Sequence, residues 1–247
     1  MTTHHLALIV AYGAALLGWL ILARLVPSLW PSPSVSSFSH PKRELAWAIG
    51  AIVTTIAIGQ LYSRGWLLPA TSRTRPALDV FNQLLIYSPF LALPLVRRQP
   101  LSTAWLPLRE IPWRIAAGLG LAIVAVVAYG LAHADAPPVV AALRQVYDPR
   151  HVSYWVQVLL EDVSIAVLFV RVRAAIGFRF SLVLTALLFA AAHIPGLLTS
   201  GASQAELLAL FGDVALGLGA LAVLQRSADV WWFWCVHFAM DMTQFYR

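Results

Sequence analysis

The sequence predicts an all-α fold, a polytopic membrane bundle of about eight transmembrane helices in one membrane domain, residues 1–247. Hydrophobic residues make up 60% of the chain and charged residues 11%, whereas about a quarter of a soluble domain is normally charged. A helix needs about 20 apolar residues to cross the hydrocarbon core. The chain therefore has room for about eight crossings with short loops, and we expect membrane lipids to cover most of its surface.

Eight apolar segments are the predicted spans. The first, from about Leu6 to Val26, is too long for the apolar region of a typical secretory signal, and no small-residue cleavage motif follows it. Proline and serine in Pro27–Lys42 indicate an irregular loop. Prolines, aspartates and arginines in Ala134–Arg150 indicate a long polar loop. The predicted spans cover residues 6–26, 44–62, 78–96, 114–133, 152–171, 179–198, 205–224 and 229–245.

The net charge of +6 comes from basic residues that lie in pairs and triplets between apolar runs. This distribution is typical of helix ends that contact anionic headgroups, and we expect no nucleic acid as a partner. Even-numbered connections and the two tails hold six of the 17 Lys and Arg residues. The positive-inside rule then predicts cytoplasmic odd-numbered connections and external termini. A single cysteine, Cys235, excludes an intramolecular disulfide.

Ionisable residues at membrane depth are concentrated in the second half of the chain. Each one costs about 2.5–3.5 kcal/mol on insertion scales, so each requires a structural or functional reason. They are Glu161 and Asp162 in the fifth predicted span, His193 in the sixth, Asp213 in the seventh, and His237 and Asp241 in the eighth.

Glu161 and Asp162 form the most demanding feature, because two adjacent ionised carboxylates repel each other strongly in a medium of low dielectric constant. Either one is protonated or cations lie nearby. Consecutive side chains on a helix point about 100° apart. We therefore expect Glu161 to reach a bound ion or water while Asp162 bonds a second donor. The alternative is that the pair closes an interhelical hydrogen-bond network.

Two histidines and a carboxylate in the last spans indicate a metal site. Alanines between Phe189 and His193 allow a neighbouring helix to approach closely, so His193 is expected to point into the bundle. His237 and Asp241 are four residues apart and share one helix face. Together they form the ligand set of a catalytic divalent metal, with zinc as the expected ion. Glu161 remains to take a proton from water.

In their order along the chain, these motifs resemble those of the CPBP family of intramembrane metalloproteases, also called the Abi or CAAX prenyl-protease type. That family has eight spans, an acidic pair in the form EExxxR, an FxxxH motif, a glycine-rich helix that begins with phenylalanine, and a final HxxxN or HxxxD. The resemblance covers about residues 152–245. The matching residues are Glu161 and Asp162, Phe189 and His193, Phe211, Gly212, Gly217 and Gly219, and His237 and Asp241.

The resemblance implies a metal-dependent endopeptidase with residues 152–245 as its catalytic core. In this interpretation Glu161 activates water, and Asp162 is the second acid of the pair. His193 and His237 hold the metal or the oxyanion, and Asp241 is a further ligand or orients His237. The implied substrate is a membrane-embedded or lipidated peptide, and the implied location is the bacterial cell (inner) membrane.

The chain departs from the family pattern at two positions. The second acid is Asp162 rather than glutamate, and Ala166 stands where the motif arginine belongs. Arg171 and Arg173 lie one to two turns further along and are not expected to replace it. Two alternatives stay open: a catalytically inactive member that acts in peptide or bacteriocin immunity or binds a partner, and a proton- or ion-coupled transporter. A transporter predicts broken helices or a paired repeat, and the sequence indicates neither.

Overall fold

In the computed structural model the chain is a bundle of α-helices, as predicted. The structure describes residues 3–30, 37–67, 76–133, 136–199, 201 and 203–243, and these contain no β-strand. The described α-helices are α1 (Thr3–Leu25), α2 (Pro41–Ser63), α3 (Pro76–Val96), α4 (Ile111–Ala132), α5 (Val139–Val146), α6 (Val152–Ile176), α7 (Phe178–Thr199), α8 (Gln204–Ser227) and α9 (Val230–Met242). Short 3₁₀ turns occur at Leu101–Ala104 and Pro149–His151.

Among the described helices, α1, α2, α3, α4, α7 and α8 are long and apolar enough to cross a membrane. The chain is therefore a multi-pass membrane protein. The two other predicted spans correspond to α6 and α9. With 13 residues, α9 is only about 20 Å long, which is less than the hydrocarbon thickness of about 30 Å. The helix is thus shorter than the span predicted at 229–245, whose last two residues lie outside the described part of the chain.

Helix α6 lies at the centre of the bundle, where it contacts α2, α3, α7 and α9. A helix that is apolar on all its faces is normally buried, and most of α6 after Leu160 is buried. Val167, Phe169 and Val172 have no exposed surface. This central position places the acidic pair of α6 inside the protein rather than against lipid.

Helix α9 is held against α4 by an unusually close backbone approach. A Cβ atom added to Gly118 of α4 would lie 2.6 Å from the carbonyl oxygen of Trp232. The indole of Trp232 is fully buried and stacks on Trp19 of α1, with ring centroids 5.4 Å apart. Glycine at 118 is therefore required for the packing that fixes the depth and direction of α9.

The first turn of α9 is fixed by Asp229, which is fully buried. Its carboxylate accepts a hydrogen bond from the backbone N–H of Trp231, as an N-cap residue does. It also pairs with Arg114 of α4 at 2.7 Å and accepts a hydrogen bond from the Trp30 indole at 2.7 Å. Three donors from separate parts of the chain thus define where α9 begins.

Two connections differ from the sequence-based expectations. The segment from 134 to 150, expected to be a polar loop, contains α5, because Ala142 and Val146 share a face that packs into the protein. Its residues 134 and 135 lie outside the described part of the chain. Helices α6 and α7 are joined by Gly177 alone, which has a φ of +82°. Glycine adopts this conformation without steric cost, so the chain reverses in one residue.

Candidate metal centre

The two acids of α6 point toward different neighbours, which confirms the expectation based on helix geometry. Asp162 is completely buried, and its Oδ1 lies 2.8 Å from Nδ1 of His237. Glu161 Oε1 accepts hydrogen bonds from the Tyr87 hydroxyl at 2.8 Å and from Gln157 Nε2 at 2.9 Å. Asp162 therefore orients the imidazole of α9, while Glu161 faces α3 and the space in front of the histidine.

His237 and Asp241 share one face of α9, as their spacing predicts. Nε2 of His237 lies 3.6 Å from Oδ1 of Asp241. Because the carboxylate of Asp162 accepts from Nδ1, that nitrogen carries a proton; Nε2, on the side of Asp241, is a lone-pair donor in the neutral imidazole and an N–H donor in the imidazolium. One ligand atom each from Glu161, His237 and Asp241 lie within 4.8 Å of one another. Two helices thus bring three potential ligands to one point.

His193 lies outside this group of three ligands, and its side chain is exposed rather than directed into the bundle as predicted. Its Nδ1–H donates to the carbonyl of Phe189 one turn earlier, at 2.9 Å. Its ring also meets the Phe189 ring edge-on, with centroids 4.7 Å apart. Both contacts hold the imidazole along its own helix. His193 still interacts electrostatically with Asp241.

The site contains more negative than positive charge. Glu161, Asp162 and Asp241 bring three carboxylates to one imidazole, and Oδ2 of Asp162 is buried without a hydrogen-bond partner among the described residues. Unpaired carboxylates are costly in a medium of low dielectric constant, so the site requires protons or a bound cation. The side chains of His237 and Asp241 are 12% and 31% exposed, which leaves the site accessible from one side.

Ala166 stands where the motif has an arginine, and no other arginine of the described chain takes that place beside the acidic pair. Ala166 is fully buried in the core. Arg171 donates hydrogen bonds to Gln99 and to a carbonyl of its own helix, and its Nε lies 3.9 Å from Glu44. Arg173 donates to a glutamine of α8 at 3.2 Å. As expected from their positions in the sequence, neither arginine lies beside the acidic pair.

Two residues of this site were missed by the sequence analysis. Gln157 lies four residues before Glu161, and this spacing alone was a usable signal. Tyr87 belongs to α3, outside residues 152–245, and nothing in the sequence pairs α3 with α6. The hydroxyl of Tyr87 also interacts electrostatically with Asp162 and Asp241. The side chain of Asp213, a further acid singled out above, lies outside the described part of the structure.

No family model, curated protein or solved structure matches this chain. The likeness to CPBP metalloproteases therefore rests on the motifs quoted above. Function is inferred below from the geometry and charge of the site.

Proposed function

We propose that this protein is a metal-dependent hydrolase of the membrane, an endopeptidase that uses Glu161 to activate water. One observation carries the proposal. One ligand atom each of Glu161, His237 and Asp241 lie within 4.8 Å of one another, and the Asp162 carboxylate accepts a hydrogen bond from Nδ1 of His237. Carboxylate–histidine pairs of this kind orient metal-binding histidines in many enzymes. The excess of carboxylates adds a second reason for a divalent cation at this place.

The donor set fits a zinc-type ion. Ligand atoms about 2.1 Å from a tetrahedral zinc ion are about 3.4 Å apart, and the atoms of His237 and Asp241 are separated by 3.6 Å. One imidazole and two carboxylates suit zinc, iron or manganese. His237 and Asp241 would hold the ion, with Glu161 beside it as the base; the ion, when bound, would act as a Lewis acid toward water and a peptide carbonyl. His193 lies outside this group, and its ring would have to leave the contacts with Phe189 to join them.

The protein side chains have distinct roles in the proposed reaction. Asp162 keeps the Nδ1 proton of His237 in place, so that Nε2 remains a lone-pair donor. The described hydrogen bonds of Glu161 involve Oε1 alone, which leaves Oε2 to accept a proton from the attacking water. The same carboxyl then returns that proton to the leaving amine, as a general acid–base residue does.

A membrane-embedded or lipidated peptide is the proposed substrate, because the site lies in a bundle whose outer helices are apolar. The site is open beside Asp241 and the exposed His193, and this opening gives the peptide substrate a route to Glu161. We place the protein in a bacterial inner membrane on the strength of the CPBP-like motifs. Helices α3 and α7 continue through their internal prolines, which favours a hydrolase over a transporter with broken helices.

The test is the metal content of the purified protein in detergent, measured by mass spectrometry together with cleavage of hydrophobic peptides. Wild type is expected to retain about one transition-metal ion, and His237→Ala to lose it. His193→Ala should retain the metal, because its ring lies outside the ligand group. Exposed His40, whose side chain makes no cap hydrogen bond to α2, provides the matched control, His40→Ala. A wild-type protein that binds no transition metal contradicts the proposal.

The alanine at position 166 favours a second candidate function, that of a non-catalytic protein of the CPBP type that binds peptides. The motif arginine is missing, and its position is completely buried. This candidate is supported if the purified protein retains metal but cleaves none of the hydrophobic peptides. Loss of metal from His193→Ala has a different meaning: it indicates that α7 closes on α9 in the loaded protein.

A further inference from the structure

Both described hydrogen bonds of the Glu161 carboxylate end on the same oxygen. The Tyr87 hydroxyl and the Gln157 amide approach Oε1 from two helices, α3 and α6, at 2.8 and 2.9 Å. Two donors on one oxygen fix the plane of the carboxylate and direct its other oxygen away from α3. Glu161 is thereby held as a member of the group that includes His237 and Asp241.

The two donors are uncharged, and neither stands at the motif position: Gln157 precedes Glu161 by about one turn, Tyr87 lies on α3, and position 166 follows Glu161. Position 166 offers no space for one, since Ala166 is completely buried. The nearest described arginine further along α6, Arg171, lies ten residues after Glu161, about 15 Å along the helix. It is engaged with Glu44 and Gln99. Hydrogen bonding from neutral groups is therefore the stabilisation that the described chain gives Glu161.

We infer that Tyr87 and Gln157 are positioning residues that hold Glu161 toward the metal ligands. The inference rests on the proposed function and extends it, because it makes α3 of the first half a part of the catalytic unit. Each donor alone still orients one oxygen, so loss of both is expected to exceed the loss of either. Since they act on the same atom, their effects should not be additive.

The first test compares metal affinity in Tyr87→Phe, Gln157→Met and the double variant, by competition with a chelator. Loss of a group that orients a metal-site residue typically weakens metal binding about 10- to 100-fold; we expect a loss within that range for each single variant and a larger loss for the double variant. Tyr62→Phe is the matched control, because the Tyr62 hydroxyl approaches a different carboxylate, that of Asp79, at 3.4 Å. Unchanged affinity in the double variant, with wild type loaded, overturns the inference and leaves the proposed function intact.

A second test does not depend on a bound metal. The infrared band of the Glu161 carboxylate is identified in the metal-free protein as the one that Glu161→Gln removes. Tyr87→Phe and Gln157→Met are expected to shift this band, whereas Tyr62→Phe leaves it in place. If wild type binds no metal and the band still shifts, the proposed function fails while the contact to Glu161 stands. A band that neither variant moves refutes the positioning role.

Discussion

Replacement of Gly118 by alanine tests whether the backbone contact between α4 and α9 determines the stability of the bundle. The added Cβ would lie 2.6 Å from the Trp232 oxygen and 2.7 Å from its Cα, where ordinary contacts begin at 3.4 Å. The helices must therefore separate by about 0.8 Å, and backbone atoms have no rotamer by which to move aside. Overpacking of this kind costs about 1–3 kcal/mol, while alanine gains about 0.5–1 kcal/mol over glycine in a helix.

The expected net loss is about 1–2 kcal/mol, which for a chain of this size lowers the apparent Tm by about 2–8 °C. Gly120, two residues along α4, is the matched control, because a Cβ there meets nothing within 4 Å. Gly120→Ala should raise the apparent Tm by a few degrees. Both variants are measured in one detergent at one heating rate, because unfolding of such proteins is commonly irreversible.

The same substitution reaches the proposed site, because α9 carries His237 and Asp241. A shift of about 0.8 Å between α4 and α9 displaces these side chains relative to Glu161 of α6. Gly118→Ala should therefore bind metal more weakly than Gly120→Ala. The reasoning is refuted if Gly118→Ala is as stable as Gly120→Ala, since the close contact of α4 with Trp232 is then absent in the folded protein.

Two further substitutions test the groups that fix α9. Asp162→Asn should weaken metal binding about 10- to 100-fold at unchanged Tm, because an amide can donate to Nδ1 of His237 and leave the proton on Nε2. Equal affinity in a chelator competition contradicts this role. Asp229→Ala should destabilise the protein by about 3–5 kcal/mol in denaturant titration, because Arg114 is left buried without its partner. Asp148→Ala breaks an exposed pair and should destabilise the protein far less than Asp229→Ala does; equal losses contradict the distinction.

The helices of this fold were predictable because hydrophobic segments of membrane length are read directly from the chain. Each predicted span overlaps one described helix, and the boundaries differ by a few residues at most ends. The start of α9 was predicted within one residue, but the contacts of Asp229 with Arg114 and Trp30 that fix it were not predictable from apolar length. These partners are more than 100 residues away in the sequence. Helix α5 was missed because eight residues give too weak a periodic signal.

Within the site, the relations that depend on one helix were predictable and those between helices were not. The divergence of Glu161 and Asp162 follows from the angle between consecutive helical residues. The shared face of His237 and Asp241 follows from their spacing of four. The position of His193 depends instead on how far α7 stands from α9, and helical periodicity carries no information on that distance. Tyr87 was missed for the same reason.

The balance of charge links these observations to function. Three carboxylates surround His237, and the described hydrogen bonds to Glu161 come from neutral groups. The missing positive charge must then come from outside the chain, as one divalent ion or as protons. A divalent ion brings both charges to one point between Glu161, His237 and Asp241, whereas a single proton on Nε2 of His237 pairs the imidazolium with Asp162 and Asp241 and leaves Glu161 with its neutral donors. A cation shared by all three side chains therefore neutralises more of the site's charge than one proton on His237 does, which supports the metal-dependent function we propose.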